Sequence, residues 1–161
     1  DVSLVGSEMC IRDRVYEYAP EGGRGERITI SPADSFELTY KLSYPDPVGE
    51  QEFTYTLSDI DSYRDQIAPA RTFGFMKDIE RLQKAGFAAG GSLDTFSLIG
   101  DDKVVNTKLR FDEELARHKI LDAIGDLFLL GRPIRARVRA EMTGHSDNVD
   151  ILKDISREAL V

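Results

Sequence analysis

The chain has 161 residues, 41% of them hydrophobic and 31% charged, which is enough for one globular domain with a buried core and too apolar for a disordered chain. Its formal charge of −8 and pI of about 4.8 argue against a bulk electrostatic grip on nucleic acid or on an anionic membrane. No apolar run approaches the roughly 18 residues of a spanning helix, and the single cysteine, Cys10, excludes an internal disulfide framework and suits a reducing compartment.

The text opens on Asp1, and VSLVGS is too short for a signal-peptide core and has no basic lead-in. Val2–Arg14, VSLVGSEMCIRDR, resembles a translated sequencing-adapter string. Residues 1–15 are therefore read as an artefactual or disordered leader, and the domain as residues 16–161. ERITI (Glu26–Ile30) is strand-like. SFELTYKLSY (Ser35–Tyr44) sets Phe36, Leu38, Tyr40 and Leu42 against Glu37, Thr39 and Lys41, the alternation of a half-buried antiparallel strand. After the Pro- and Gly-punctuated turn YPDPVGE, Glu52–Ser58 alternates again with Phe53, Tyr55 and Leu57 inward, closing a hairpin.

Ser58 or Asp59 can cap a short helix reaching about Ile67. FMKDIERLQKAG places Met76, Ile79 and Leu82 on one helical stripe with Gly86 as its stop. GGSLDTFSLIGDDKVVN reads as strand, turn, strand. Phe111–Leu130 is the longest helix, with Asp112, Glu113 and Glu114 favouring its N-terminus through the dipole and Gly131 ending it. Then Ile134, Ala136, Val138, Ala140 and Met142 alternate with Arg135, Arg137 and Arg139, a strand whose arginines form a solvated face or bind an anion. A last helix spans about Ser146–Leu160. The sum is α+β, an antiparallel sheet with helices packed on one face.

The chain has two histidines, His118 and His145. His118, Asp122 and Asp126 recur every four residues and so fall on one stripe of the long helix. A His and a carboxylate at i, i+4 can close two corners of a tetrahedral zinc site or simply hydrogen-bond each other. Lys119 sits one step round, and His145 lies in the turn TGHSDN, just past a strand.

Four segments together resemble the UDP-3-O-acyl-N-acetylglucosamine deacetylases, zinc amidohydrolases of lipid A biosynthesis. They are ARTFGFMKDIERLQKAG (Ala70–Gly86), GGSLD (Gly90–Asp94), LRFDEELARHKILDAIGDLFLLG (Leu109–Gly131) and TGH (Thr143–His145). The resemblance implies a two-domain fold of similar α+β halves, of which this chain matches the second, with a small strand-rich insertion at Ala88–Val105. By position it makes His118 and Asp122 zinc ligands, Lys119 a substrate-contacting lysine, His145 the catalytic histidine and Asp126 the carboxylate that orients it. Thr72 matches a threonine whose hydroxyl faces the developing oxyanion. Phe73, Phe75, Ile79, Ala88, Gly91, Ser92 and Leu93 match the substrate cleft and its acyl-chain passage. Taken by themselves, Thr72, Phe73 and Phe75 also suit strand-end packing, and Gly91 a plain turn.

Two departures stand out. Phe96 occupies a place where the family has a small residue, which narrows or re-routes the passage, and SDN follows His145 in place of the family's usual continuation. The family's third zinc ligand, a histidine, and its general-base glutamate belong to the first half. No histidine precedes His118. The expectation is therefore a cytoplasmic deacetylase acting on a UDP-sugar lipid, whose N-terminal domain packs on these residues and without which they are nearly inactive. The competing expectation is a non-catalytic α+β module that binds a nucleotide sugar or a protein partner.

Overall fold

In the computed structural model, which describes residues 9–10, 14–79, 84, 95–131 and 134–159, aromatic and β-branched residues alternating with polar ones build one main sheet. Its strands are β1 (Met9–Cys10), β2 (Tyr16–Tyr18), β3 (Arg27–Pro32), β4 (Glu37–Ser43), β5 (Glu50–Thr56) and β8 (Ile134–Glu141). A separate two-stranded sheet pairs β6 (Thr72–Phe75) with β7 (Phe96–Ile99) in parallel. Among the described residues the helices are α1 (Ile60–Gln66), α2 (Glu114–Phe128) and α3 (His145–Ala159).

The α+β class is as expected, and α2 and α3 lie side by side on one face of the sheet, α2 over β4 and β5, α3 over β2 and β3. The sheet is mixed rather than antiparallel throughout. Its order is β2-β3-β8-β4-β5. β8 runs antiparallel to β3 and parallel to β4, while β1 pairs in parallel with the first residues of β8. Alternation fixes which face a residue takes, but not which strand lies beside it.

Ile28, Ile30, Leu38, Tyr40, Leu42, Tyr55, Ala136, Val138 and Ala140 point under the helices and are buried. Ile120, Ala123 and Leu127 of α2 and Ile151, Leu152 and Ile155 of α3 close over them. The arginine ladder faces the other way, Arg137 paired with Glu37 at 2.7 Å and Arg139 with Glu52 at 2.9 Å, as the solvated-face reading expects.

Element ends differ from the alternation in two places. Leu57 lies past the end of β5 and is 49% exposed, not inward. Met142 leaves β8 through a left-handed turn (φ 53°), so it does not extend the apolar row. Asp59 caps α1, accepting from the Ser62 amide at 2.7 Å. Met76–Asp78 is a 3-10 turn, with Ile79 and Lys84 helical; Leu82 and Gly86 lie outside the described residues. α2 starts at Glu114 rather than Phe111. Gly131 ends it in the left-handed conformation (φ 71°), its amide bonded to the Phe128 carbonyl at 2.9 Å. In the turn after β7, a Cβ on Gly100 would stand 2.7 Å from Val105, so this position needs glycine.

Candidate functional site

The helix α2 organises the site. Its core stripe, Ile120, Ala123 and Leu127, faces the sheet. Roughly a third of a turn round, the residues spaced by four form a second stripe whose side chains are only partly covered. His118, Asp122 and Asp126 are 15%, 17% and 14% exposed.

At the first of these the His118 ring is held from both ends. Its Nδ1 lies 3.1 Å from the Ala70 carbonyl, which can only accept, so Nδ1 carries a proton and, in the neutral ring, the lone pair sits on Nε2. Nε2 stands 3.4 Å from Oδ1 of Asp122. Two donors bound at about 2.0–2.1 Å to one tetrahedral cation would be about 3.3–3.4 Å apart. The pair therefore fits two corners of such a site. Among the described residues no group of three or more His, Cys, Asp or Glu side chains gathers into a fuller metal cage. Lys119 turns to the same place, its Nζ 3.3 Å from Oδ2 of Asp122 and 5.8 Å from the centre of the Tyr40 ring.

Two turns further along, Asp126 accepts from His145 Nδ1, with its oxygens at 2.8 and 2.9 Å, which leaves Nε2 of His145 as the free nitrogen. The His145 side chain is 68% exposed and stands at the first residue of α3, not in a turn. Its place is fixed by neighbours the sequence reading did not single out. The Tyr40 hydroxyl donates to the Thr143 carbonyl at 2.6 Å, anchoring the residue just before Gly144. Burial pushes the Tyr40 phenol well up, so it stays a neutral donor. Asp147 accepts from the Gly144 amide at 2.8 Å, closing the start of α3. Asn148 donates to Asp126 Oδ2 at 2.9 Å, filling a carboxylate site that His145 leaves open.

Arg71 was not singled out as a site residue, and Glu114 was misread. Glu114, read as a dipole residue, is fully buried. Its Oε1 accepts from the Arg71 amide at 3.0 Å and from Nε at 2.8 Å, and its Oε2 accepts from Nη2 at 3.1 Å and the Arg110 amide at 2.6 Å. Arg71 also donates to Thr107 at 2.9 Å and to the Lys108 carbonyl at 2.7 Å. Burial raises the Glu114 carboxyl, but the hydrogen bonds from Arg71 and from the two amides outweigh it and hold it below the ordinary range. One signal was available in the text, since Glu114 lies four residues before His118 and extends the same stripe back by a turn.

Thr72 opens β6, exposed, two residues after the carbonyl that holds His118. Phe73 and Phe75 are half-buried and meet Tyr44 with ring centres 5.8 and 5.3 Å apart, contacts that strand-end packing accounts for. Phe96 is the register partner of Thr72 across the small sheet. Ile79 is half-buried. Ala88, Gly91, Ser92 and Leu93 lie outside the described residues. Among the described residues no helix is long and apolar enough to cross a membrane.

The model of the UDP-3-O-acyl N-acetylglycosamine deacetylase family matches residues 10–157. Curated relatives named UDP-3-O-acyl-N-acetylglucosamine deacetylase are similar over most of the chain. The protein of Thermodesulfovibrio yellowstonii is 44% identical over 130 residues, covering 80% of this chain and 44% of the relative. That of Leptospira biflexa is 43% identical over 80% of this chain and 42% of its own length. That of Aquifex aeolicus is 38% identical over 83% and 46%. The chain thus spans less than half the length of each of these relatives.

Proposed function

The chain belongs to the UDP-3-O-acyl N-acetylglycosamine deacetylase family, and from that premise we propose that α2 and the start of α3 carry the C-terminal half of a zinc-dependent amidohydrolase site. The substrate would be the acetamide of UDP-3-O-acyl-N-acetylglucosamine, cleaved to acetate and a free amine in the cytoplasm during lipid A biosynthesis. The observation that carries the reading is the His118–Asp122 pair, with one ring nitrogen tied to Ala70 and the other 3.4 Å from the carboxylate.

His118 and Asp122 would hold the Zn²⁺, which when bound polarises a carbonyl and lowers the pKa of water. The residues of the chain supply the rest. His145, oriented through Nδ1 by Asp126, presents Nε2 to hand a proton to the leaving amine. Lys119 offers a positive charge, and Thr72 a hydroxyl, for the oxygen that gains charge as the amide carbon becomes tetrahedral. Phe73, Phe75 and Ile79 would flank the substrate, with Phe96 narrowing the acyl passage beside Thr72. Ala88, Gly91, Ser92 and Leu93 enter this proposal on the resemblance of their segment alone.

The 161 residues by themselves should turn over little. The resemblance places the third ligand, a histidine, and the general-base glutamate in the family's first half, and both histidines of this chain already have other places, so a complementary N-terminal domain would supply them. The exposed Phe128 and Leu129 at the end of α2, 76% and 70% accessible, suit packing against such a domain.

Zinc titration by calorimetry tests the metal half of the reading. The wild-type chain, with two of the three ligands, should bind zinc weakly but measurably, and His118→Ala should lose that binding. Indistinguishable isotherms would sink the metal site and favour a non-catalytic module that binds a nucleotide sugar or a partner.

A further inference from the structure

The hydrogen bonds of the buried pair Arg71–Glu114 relate two parts of the site to each other. Three consecutive residues, Ala70, Arg71 and Thr72, present a carbonyl to His118, a guanidinium to Glu114 and a hydroxyl at the head of β6. Glu114 stands one helical turn before His118 on the same stripe of α2. The carboxylate takes four hydrogen bonds, two on each oxygen, and three come from Arg71. One of those three is the Arg71 backbone amide, so Glu114 grips the strand's main chain as well as its side chain. Arg71 in turn ties down the approach to α2 through Thr107 and the Lys108 carbonyl. Arg71 and Glu114 are 7% and 0% exposed, so water does not compete for these bonds.

We propose that Arg71 and Glu114 are positioning residues that fix the Nδ1–H tautomer of His118, by holding the Ala70 carbonyl against its ring, and that set Thr72 relative to His118 in the same act. The inference rests on the reading of His118 as a metal ligand for its functional meaning, though not for its geometry. A carbonyl held in place favours the Nδ1–H form against the pull of the Asp122 carboxylate for a proton on Nε2, and so keeps the Nε2 lone pair on the side where a cation shared with Asp122 would sit. A backbone segment held only by its own strand pairing would let the carbonyl drift and the ring choose its tautomer in solvent, where a free imidazole side chain favours Nε2–H.

The test uses the 161-residue chain and ¹⁵N long-range NMR of the two imidazoles at a pH where both are neutral. Wild type should show His118 as Nδ1–H. Arg71→Lys keeps the charge and loses the fork, so it should stay folded while a substantial Nε2–H population appears at His118. His145 serves as the internal control, because its Nδ1 is held by Asp126 and not by this pair. A wild-type His118 in the Nε2–H form overturns the proposal. So does a folded Arg71→Lys chain with His118 unchanged, and so does a shift of both histidines together, which reports general loosening. Glu114→Gln is the second variant, with the same expectation; failure of both variants to fold assigns the pair to stability alone and also overturns it. With zinc alone as the probe, Arg71→Lys should bind about 10- to 100-fold more weakly than wild type. If neither chain binds zinc but the tautomer shift is present, the metal reading fails and the positioning role stands.

Discussion

Glu114 is a residue at which one polar substitution should be costly to the fold. Glu114→Gln leaves the buried Arg71 guanidinium without its counter-charge, and breaking a buried pair in this way costs about 3–5 kcal/mol. Arg137→Ala, on the solvated face, should cost no more than about 1 kcal/mol. Urea unfolding of both variants checks the contrast. The same carboxylate makes a pH prediction with a definite sign. Its folded pKa is held below the unfolded value, so its contribution is complete above the ordinary carboxylate range and is lost as pH falls through the depressed folded value. The wild-type urea midpoint should therefore drop on acidification through that window, and the midpoint of Glu114→Gln should drop less. Equal acid slopes for the two chains would contradict the assignment.

Among the elements, β4 reaches furthest into the site, because Tyr40 anchors the turn that delivers His145. Tyr40→Phe leaves the Thr143 carbonyl short of its donor and should cost about 1–3 kcal/mol. Amide exchange should quicken first at Gly144–Asn148, where α3 begins; protection there unchanged from wild type would remove Tyr40 from this role. This contact also marks what could be read in the sequence. The alternation of Leu38, Tyr40 and Leu42 and of Ala136, Val138 and Ala140 was legible because a strand's period of two is local. The stripe of His118, Asp122 and Asp126 was legible because a helix repeats nearly every four residues. The insertion of β8 between β3 and β4 was not, since the register pairing Leu38 with Val138 joins residues far apart in the chain. Leu57 and Met142 were misplaced because alternation carries no mark of where a strand stops. Glu114 was misread for a related reason: its partner Arg71 is 43 residues away, and nothing local separates a buried acid at a helix start from a solvated one.

At the scale of the whole molecule, the chain supplies one stretch of a family whose curated members are more than twice the length it matches. What it contributes is coherent: two donors at tetrahedral spacing, an oriented His–Asp pair two turns along the same helix, and a clamp joining that helix to β6. The central claim is that these groups are half of a deacetylase site. The most direct test joins the complementary N-terminal portion of the Thermodesulfovibrio yellowstonii relative ahead of Tyr16 and measures acetate release from UDP-3-O-acyl-N-acetylglucosamine. The account predicts turnover by this chimera, a loss of about 10²–10⁴-fold in its His145→Ala form, and little or no turnover by the 161-residue chain. A folded, zinc-loaded chimera with no turnover, or one whose rate is indifferent to His145→Ala, would contradict it.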